Sequence, residues 1–264
     1  MPRFFVDQKS IADGCIVLEG EDARHLSFSM RARPGDLISV CSNEGLLYEC
    51  ALISLDGKRV RARILSAALA AEEPCYEAVL CQAIPKGDKM ELIIQKAVEL
   101  GVARIIPVES SRCVARVKPE ARLKKTERWN KIAEAAAKQC GRGRVPVVEA
   151  PVLLQTLLDR MGSVGGDSDS QSETGSFRFF CYEGGGQPLK EVFRGHEFKG
   201  CEHPKLYFLI GPEGGFAAEE AQAAQRAGWQ PVTLGRRILR TETASFYCLS
   251  ALSYEREVSS LSGI

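Results

Sequence analysis

No run of 18 or more apolar residues occurs in the 264-residue sequence, so it holds no candidate membrane-spanning helix. The opening MPRFFVDQKS also lacks the long apolar core of a signal peptide, and a cytoplasmic location is expected. Ten cysteines are present, yet no two have C-x-x-C spacing, and only His25, His196 and His203 accompany them. Scattered this way, the cysteines read as reduced thiols, mostly small core residues, and not as a disulfide framework or a zinc site. Neither a G-x-G-x-x-G fingerprint nor a P-loop is found, which removes the common phosphate cradles and leaves a dehydrogenase reading weak. Net charge is only +1 and does not by itself announce a polyanionic partner.

What is present is unevenly spread. Residues 86–144 carry 15 Lys/Arg against 7 Asp/Glu. Such a segment suits a polyanion, and it suits a solvated helix surface equally well. Residues 1 to about 70 read as short strands, CIVLEG, DLISVCS, LLYECALISL and RVRARILSA. Turn signals at Gly14, Gly20, Pro34-Gly35, Asn43-Glu44-Gly45 and Asp56-Gly57 separate them. This spacing predicts a small β-barrel or sandwich, interrupted by one helical stretch over 21–33. The Ala/Glu-rich AALAAEEP at 67–74 marks a domain boundary, dividing the chain into 1–72 and 73–264.

Beyond that boundary the period changes. YEAVLCQAI (76–84) reads as a buried strand. Asp88 and Glu91 have capping-box spacing ahead of a helix that ends at Gly101, and ARIIPV (103–108) is the next strand. Strand, helix and strand within about 33 residues form a βαβ unit, hence a parallel sheet and an α/β class. A second helix is predicted from about Lys124 to Cys140, with Trp129, Ile132, Ala133, Ala136 and Cys140 on one face. VPVVEA is expected as a strand, 152–161 as a helix, and FRFFCYE, LYFLI and PVTL as further strands. Residues 162–176 are polar and glycine-rich, the composition of a flexible insertion.

Three of these strand ends carry unusual residues: Glu183, the run Gly211-Pro212-Glu213-Gly214-Gly215, and the stretch from Gly235 to Thr243. Ligands of open α/β sheets sit outside the carboxyl ends of the strands. Glycines there let a backbone approach a ligand closely. The loops suit a neutral, planar, partly apolar ligand held by main-chain groups, with Ile238 and Leu239 in apolar contact. Thr241 fits a helix N-cap and Glu242 the first turn. From spacing alone, each loop also fits an ordinary turn leading into a helix.

IGPEGGF (210–216) followed by LGRRILRTETA (234–244) resembles the paired cofactor loops of the knotted SPOUT methyltransferases. Within them the chain is similar to the 16S ribosomal RNA uracil-N3 methyltransferases, the RsmE family. PKGDKME (85–91), QKAVELGV (95–102), SRC (111–113), RWNKIAEAAAKQCGR (128–142), the N-terminal RFFV and His25-Leu26 with Met30-Arg31 extend the likeness over nearly the whole chain. Met30-Arg31 departs from the usual Leu-Arg.

The resemblance implies a PUA-like barrel followed by an α/β domain with a C-terminal trefoil knot, working as a homodimer without a metal. It implies S-adenosylmethionine as cofactor and a uridine near the decoding region of 16S ribosomal RNA as substrate, methylated at N3. Backbone groups of Leu209, Gly211, Leu234 and Leu239 would then hold the adenine and ribose, with Gly235, Ile238 and Arg240 also at the cofactor. Glu213 and Gly215 would shape the loop, Glu183 would lie by the methionine end, and Thr243 and Ala244 would close the knot. Glu213 and Glu242 are candidates for a base or for simple helix capping; Arg240 and Arg112 could stabilise a uracil anion. RNA contact falls to Arg3, Phe5, His25 and Arg31 on the barrel and to Lys86, Lys89, Arg112, Lys138 and Arg142 beyond it. Two competing readings are another SPOUT enzyme, acting on a ribose 2′-hydroxyl or a different base, and a non-catalytic RNA-binding assembly factor.

Overall fold

The computed structural model describes residues 3–42, 45–70, 73–162, 175–195, 198 and 200–258. The turn expected at Asn43-Glu44 and nearly all of the 162–176 insertion lie outside them. The chain is mixed α/β, with a mostly antiparallel β-rich N-terminal part and a parallel-sheet part. It divides into one compact unit of Met1–Glu73 with Glu134–Val145, and a second of Pro74–Ala133 with Pro146–Ile264. Residues 134–145 thus group with the first unit, which a boundary read at 67–74 does not anticipate.

The first unit holds β1 (Arg3–Val6), β2 (Ile11–Ala12), β3 (Cys15–Glu19), β4 (Leu37–Ser42), β5 (Leu46–Leu55) and β6 (Arg59–Leu69), ordered β1-β4-β5-β6-β3-β2. Alternation along the strands points Phe4, Ile16, Leu18, Ile38, Val40, Cys50, Leu52, Val60 and Ala62 into one core. The helical interruption is shorter than expected: α1 (Gly20–Arg24) runs into a wider π-type turn, His25–Ser29. Ala23 and Leu26 from this stretch are fully buried in the same core. Arg31, with φ of 51°, marks its end.

Residues 134–145 are fastened to this unit by ionic contacts. The Arg142 guanidinium is 6% exposed and forks onto Glu73, with Nε to Oε1 at 2.9 Å and Nη2 to Oε2 at 2.7 Å. Burial pushes the Glu73 carboxyl up, but Arg142 and the N–H groups of Gly143 and Arg144 outweigh it and hold it below the usual range. Lys138 pairs with Asp22 at 2.7 Å and Glu134 at 2.8 Å.

The second unit is built on β7 (Glu77–Ala83), β8 (Val102–Glu109), β9 (Val147–Val148), β10 (Val152–Leu153), β11 (Ser176–Cys181), β12 (Gln187–Pro188), β13 (Lys205–Ile210) and β14 (Gln230–Thr233). Their order is β10-β8-β7-β13-β11-β14-β12, with β9 also on β8, and every pairing is parallel. β7 and β13 are buried along nearly their whole length, as strands covered on both faces must be. The helices are α2 (Lys89–Glu99), α3 (Pro119–Cys140, whose residues from Glu134 on group with the first unit), α4 (Leu154–Gly162), α5 (Leu189–Arg194), α6 (Ala218–Arg226) and α7 (Thr241–Ser253). In α2, buried Met90, Ile93, Ile94, Ala97 and Val98 make one stripe, and Gly101 ends it at φ 84°.

Several local expectations change. Asp88 makes no side-chain cap bond, and Glu91 pairs with Arg128 at 2.7 Å instead of reaching back to it. On α3 the buried face holds Trp129, Ala133, Ala136 and Ala137, while Cys140 at the helix end is exposed. VPVVEA contributes only the two-residue β9, and Val152–Leu153 pair as β10 before α4 begins.

Removing the guanidinium of the buried Arg142–Glu73 pair leaves the carboxylate without its charged partner. Arg142→Ala is expected to cost about 3–5 kcal/mol in denaturant unfolding at neutral pH. Because the folded carboxyl of Glu73 titrates below its unfolded value, its stabilisation is complete above the ordinary carboxylate range and lost as the pH falls through the depressed folded value. The wild-type advantage over Arg142→Ala should therefore shrink in acid.

Candidate functional site

Sheet order brings the three singled-out loops together. β11 lies between β13 and β14, so the segments leaving their carboxyl ends are neighbours. They enclose a cavity of about 340 Å³. Glu183, Gly211, Glu213, Gly215, Leu234, Gly235, Ile238, Leu239, Arg240 and Ala244 all line it, as expected. Cys181, Tyr182, Ile210, Arg236, Arg237 and Thr241 join them.

The side chains of Leu209 and Thr243 lie outside the lining. Leu209 is fully buried in the sheet core, because period-2 alternation turns its side chain from the cavity that Ile210 reaches; the contact expected of it is through the backbone. Thr243 is exposed on α7, the side opposite buried Ala244.

The glycine loop is a turn in which the Gly215 N–H donates to the Pro212 carbonyl at 2.9 Å. Gly215 has φ of 64°, and a Cβ there would meet Glu183 Oε1 at 2.9 Å. Only glycine lets backbone and carboxylate approach so closely. Gly235, at φ 112°, has no atom within 4 Å of where a Cβ would sit, so the cavity is open beside its main chain.

A buried polar hub ties these loops to the sheet. Gln82, fully buried near the end of β7, donates its amide N–H to Thr241 Oγ1 and to the Ala83 carbonyl, each at 2.9 Å. Thr241 Oγ1 donates to the Gly211 carbonyl at 2.7 Å. Ser245 Oγ lies within hydrogen-bonding distance of both Gln82 Oε1 and the Thr241 carbonyl. Thr241 is accordingly the first residue of α7, with Arg240 at the cap position, and its hydroxyl serves the loop instead of its own helix. Gln82 and Ser245 carried no sequence signal beyond being polar within apolar runs.

The candidate acids and bases are largely committed. Glu213 Oε1 accepts from the Lys86 N–H at 3.1 Å and from Lys89 Nζ at 3.3 Å. Partial burial pushes Glu213 up, but these donors and its own N–H outweigh it and hold it below the usual range. Lys89 also meets Glu242 Oε2 at 3.3 Å. Desolvation works against its charge, yet Glu213 and Glu242 together raise it. Lys89 is thus an ion-pair bridge between the two loops and not a free RNA contact. Arg112 does not line the cavity: its Nη1 donates to the Gly214 carbonyl at 2.9 Å, bracing the glycine turn from outside. Arg240 lines the cavity, is exposed, and makes no ion pair among the described residues.

The expected RNA contacts divide the same way. Lys86, His25 and Arg31 have exposed side chains and Phe5 a half-buried ring. Arg3 hydrogen-bonds the Gly141 carbonyl. Lys138 and Arg142 are spent on the carboxylates already described, so they hold the first unit together. Among the described residues no group of three or more metal-ligating side chains occurs. Cys181 Sγ, at the cavity floor, lies 3.5 Å from Cys248 Sγ on α7, both as free thiols.

Residues 71–253 match a family model described as an RNA methyltransferase domain, and residues 18–65 one described as an RNA methyltransferase PUA domain. The chain is 32% identical over 267 residues to the ribosomal RNA small subunit methyltransferase E of Bacillus subtilis strain 168, covering 98% of each chain. To the protein of the same name from Mesomycoplasma hyopneumoniae it is 30% identical, over 95% of this chain and 98% of the relative. Among solved structures, the ribosomal RNA small subunit methyltransferase E from Neisseria gonorrhoeae bound to S-adenosyl methionine superposes with a TM-score of 0.80 at 32% identity, covering 96% of this chain and 97% of that one. A putative methyltransferase from Legionella pneumophila, in complex with the same cofactor, gives 0.79 at 28% identity, over 95% and 96%.

Replacing Gln82 by leucine would remove the amide that bonds Thr241 Oγ1 and Ser245 Oγ, leaving those hydroxyls their contacts with the Gly211 and Thr241 carbonyls. Gln82→Leu should lose about 2 kcal/mol or more of stability by urea unfolding and weaken cofactor binding by calorimetry. Glu213 is ionised well below neutrality. The activity–pH profile of Glu213→Gln between about pH 6 and 9 should therefore keep the wild-type shape; a missing wild-type ionisation there would contradict the ion-paired assignment.

Proposed function

The chain belongs to the ribosomal RNA small subunit methyltransferase E family, and we propose that it methylates N3 of an unpaired uridine near the decoding region of 16S ribosomal RNA. It is an S-adenosylmethionine-dependent ribosomal RNA methyltransferase. The observation that carries the residue assignments is the meeting of three glycine-bearing strand ends on one cavity that also holds Arg240 free of any ion pair among the described residues.

The cavity fits the cofactor. The open space beside the Gly235 backbone and the main chain of Gly211 and Leu234 offer polar groups to an adenine and ribose. Ile238 and Leu239 offer apolar contact. The carboxylate of Glu183, close against Gly215, supplies negative charge for the amino-acid end and the sulfonium. When bound, the cofactor supplies an electrophilic methyl group, so the protein needs no metal.

Its own residues have two tasks. The first is alignment: the turn at 212–215, clamped from Arg112, Lys89 and Thr241, fixes the donor side of an in-line transfer. The second is charge. N3 lies on the Watson–Crick edge, so the base must be unpaired or flipped out, and losing its proton leaves a uracil anion. Glu213 and Glu242 are held by Lys89 and make poor bases. Arg240 at the cavity wall stabilises the developing negative charge, as donors in oxyanion-type sites do, and the proton passes to water.

In this reading residues 234–253 thread beneath the loops after β11 and β13 as a trefoil knot, a path supported by the bonds from Thr241 to Gly211 and Gln82. The working unit is a homodimer in the cytoplasm. Exposed Ile238 and Tyr247, 85% and 46% accessible, supply apolar surface for it. No described helix is long and apolar enough to cross a membrane.

Labelled methyl transfer to small ribosomal subunits lacking the modification, followed by nucleoside analysis, should yield 3-methyluridine. A different methylated nucleoside would overturn the N3 assignment. Arg240→Ala should lower kcat by about a hundredfold while changing cofactor affinity little; equal losses in both would make Arg240 a binding residue.

A further inference from the structure

The outer face of β6 carries a feature that the cavity does not use. Arg59, Arg61 and Arg63 alternate with Val60 and Ala62, which are fully buried. All three arginines therefore project to the solvent side of the six-stranded sheet, about 6.8 Å apart along the strand. Arg59 is partly neutralised by Glu19 at 3.4 Å. Arg61 and Arg63 make no hydrogen bond or ion pair among the described residues.

Their cross-strand neighbours are small and uncharged. Arg63 stands between Cys15 and Ala51, and Arg61 between Val17 and Ser54. The β5 irregularity between Leu52 and Ser54 lies beside Arg61 and leaves Ile53 43% exposed. The nearest acids on these strands are at the two ends: Glu19, paired with Arg59, and Glu49, which accepts from Ser66. The stripe is local, because residues 1–73 carry nine Lys/Arg and eleven Asp/Glu.

We propose that this face of β6 is a track for the phosphodiester backbone of the ribosomal RNA substrate, with Arg61 and Arg63 each gripping a phosphate. The proposal rests on the methyltransferase reading above. Unpaired guanidiniums over small side chains can approach a backbone closely and bind phosphate oxygens through two N–H groups. Uncharged neighbours offer no base-specific hydrogen-bonding pattern. The track therefore contributes affinity and register, not sequence choice. An acidic protein surface is the competing occupant. The regular spacing along one strand matches a linear polyanion better than a folded acidic patch.

The test uses the full chain, the double variant Arg61→Ala/Arg63→Ala, and Lys9→Ala as an exposed-cation control away from β6. Binding to naked small-subunit ribosomal RNA is titrated against salt, with S-adenosylmethionine affinity measured separately. The double variant should bind the RNA about tenfold more weakly, and its salt dependence should flatten by about 1.4 in log–log slope, two phosphate contacts at about 0.7 each. Lys9→Ala and all cofactor affinities should stay at wild-type values. Unchanged affinity and slope on naked RNA would overturn the proposal. If binding to intact subunits still fell in that case, the stripe would belong to an acidic protein contact. Failure of the wild-type chain to methylate ribosomal RNA would instead count against the methyltransferase reading, so the two failures are distinguishable.

Discussion

One buried primary amide sets the site. Gln82 sits inside a parallel sheet, where an unpaired polar group is costly, and it meets that constraint by bonding two hydroxyls of α7. Through Thr241 the same network reaches the carbonyl of Gly211 at the start of the glycine turn. Strand β7, the turn after β13 and the start of the last helix are thereby fixed to one another by one continuous buried hydrogen-bond network. Apolar packing alone would leave their relative heights free to slide; directional hydrogen bonds in a dry interior do not.

The ionic contacts around this hub follow a single division of labour. Lys89 draws the carboxylates of Glu213 and Glu242 together across the loop bases. Arg112 secures the Gly214 carbonyl. What remains on the cavity wall is cationic, in Arg236, Arg237 and Arg240, with Glu183 as the counterweight beside Gly215. A site arranged this way favours stabilising an anion over removing a proton with a tuned base, which suits an acceptor that becomes anionic when it loses its proton.

The class of the protein and the three strand ends were legible because they depend on local signals: buried apolar strands, helical periodicity and glycine runs. Gly211, Gly215, Gly235 and Glu183 stood out for this reason, and the cavity collects them. What the sequence could not disclose was partnership. Lys89, Lys138 and Arg142 look like solvent-facing cations in a basic segment, and each is consumed by carboxylates far away in sequence, such as Asp22 at a separation of 116 residues. Leu209 differs from Ile210 only by one step of strand alternation, and register of that kind is set by the sheet and not by the loop motif. Gln82 was hidden for the opposite reason, as a polar residue within a strand whose importance exists only through Thr241 and Ser245.

The span of the central bond has a consequence for the order in which the protein is made. Gln82 and Thr241 are 159 positions apart, and β13, which pairs directly with β7, is synthesised after the strands on the other side of β7. During translation the early strands and their helices can gather, but no ligand cavity exists until residues 234–244 have left the ribosome. The nascent chain is thus catalytically silent until its final helix is supplied, and maturation is paced by a late, long-range closure of the kind that slows folding.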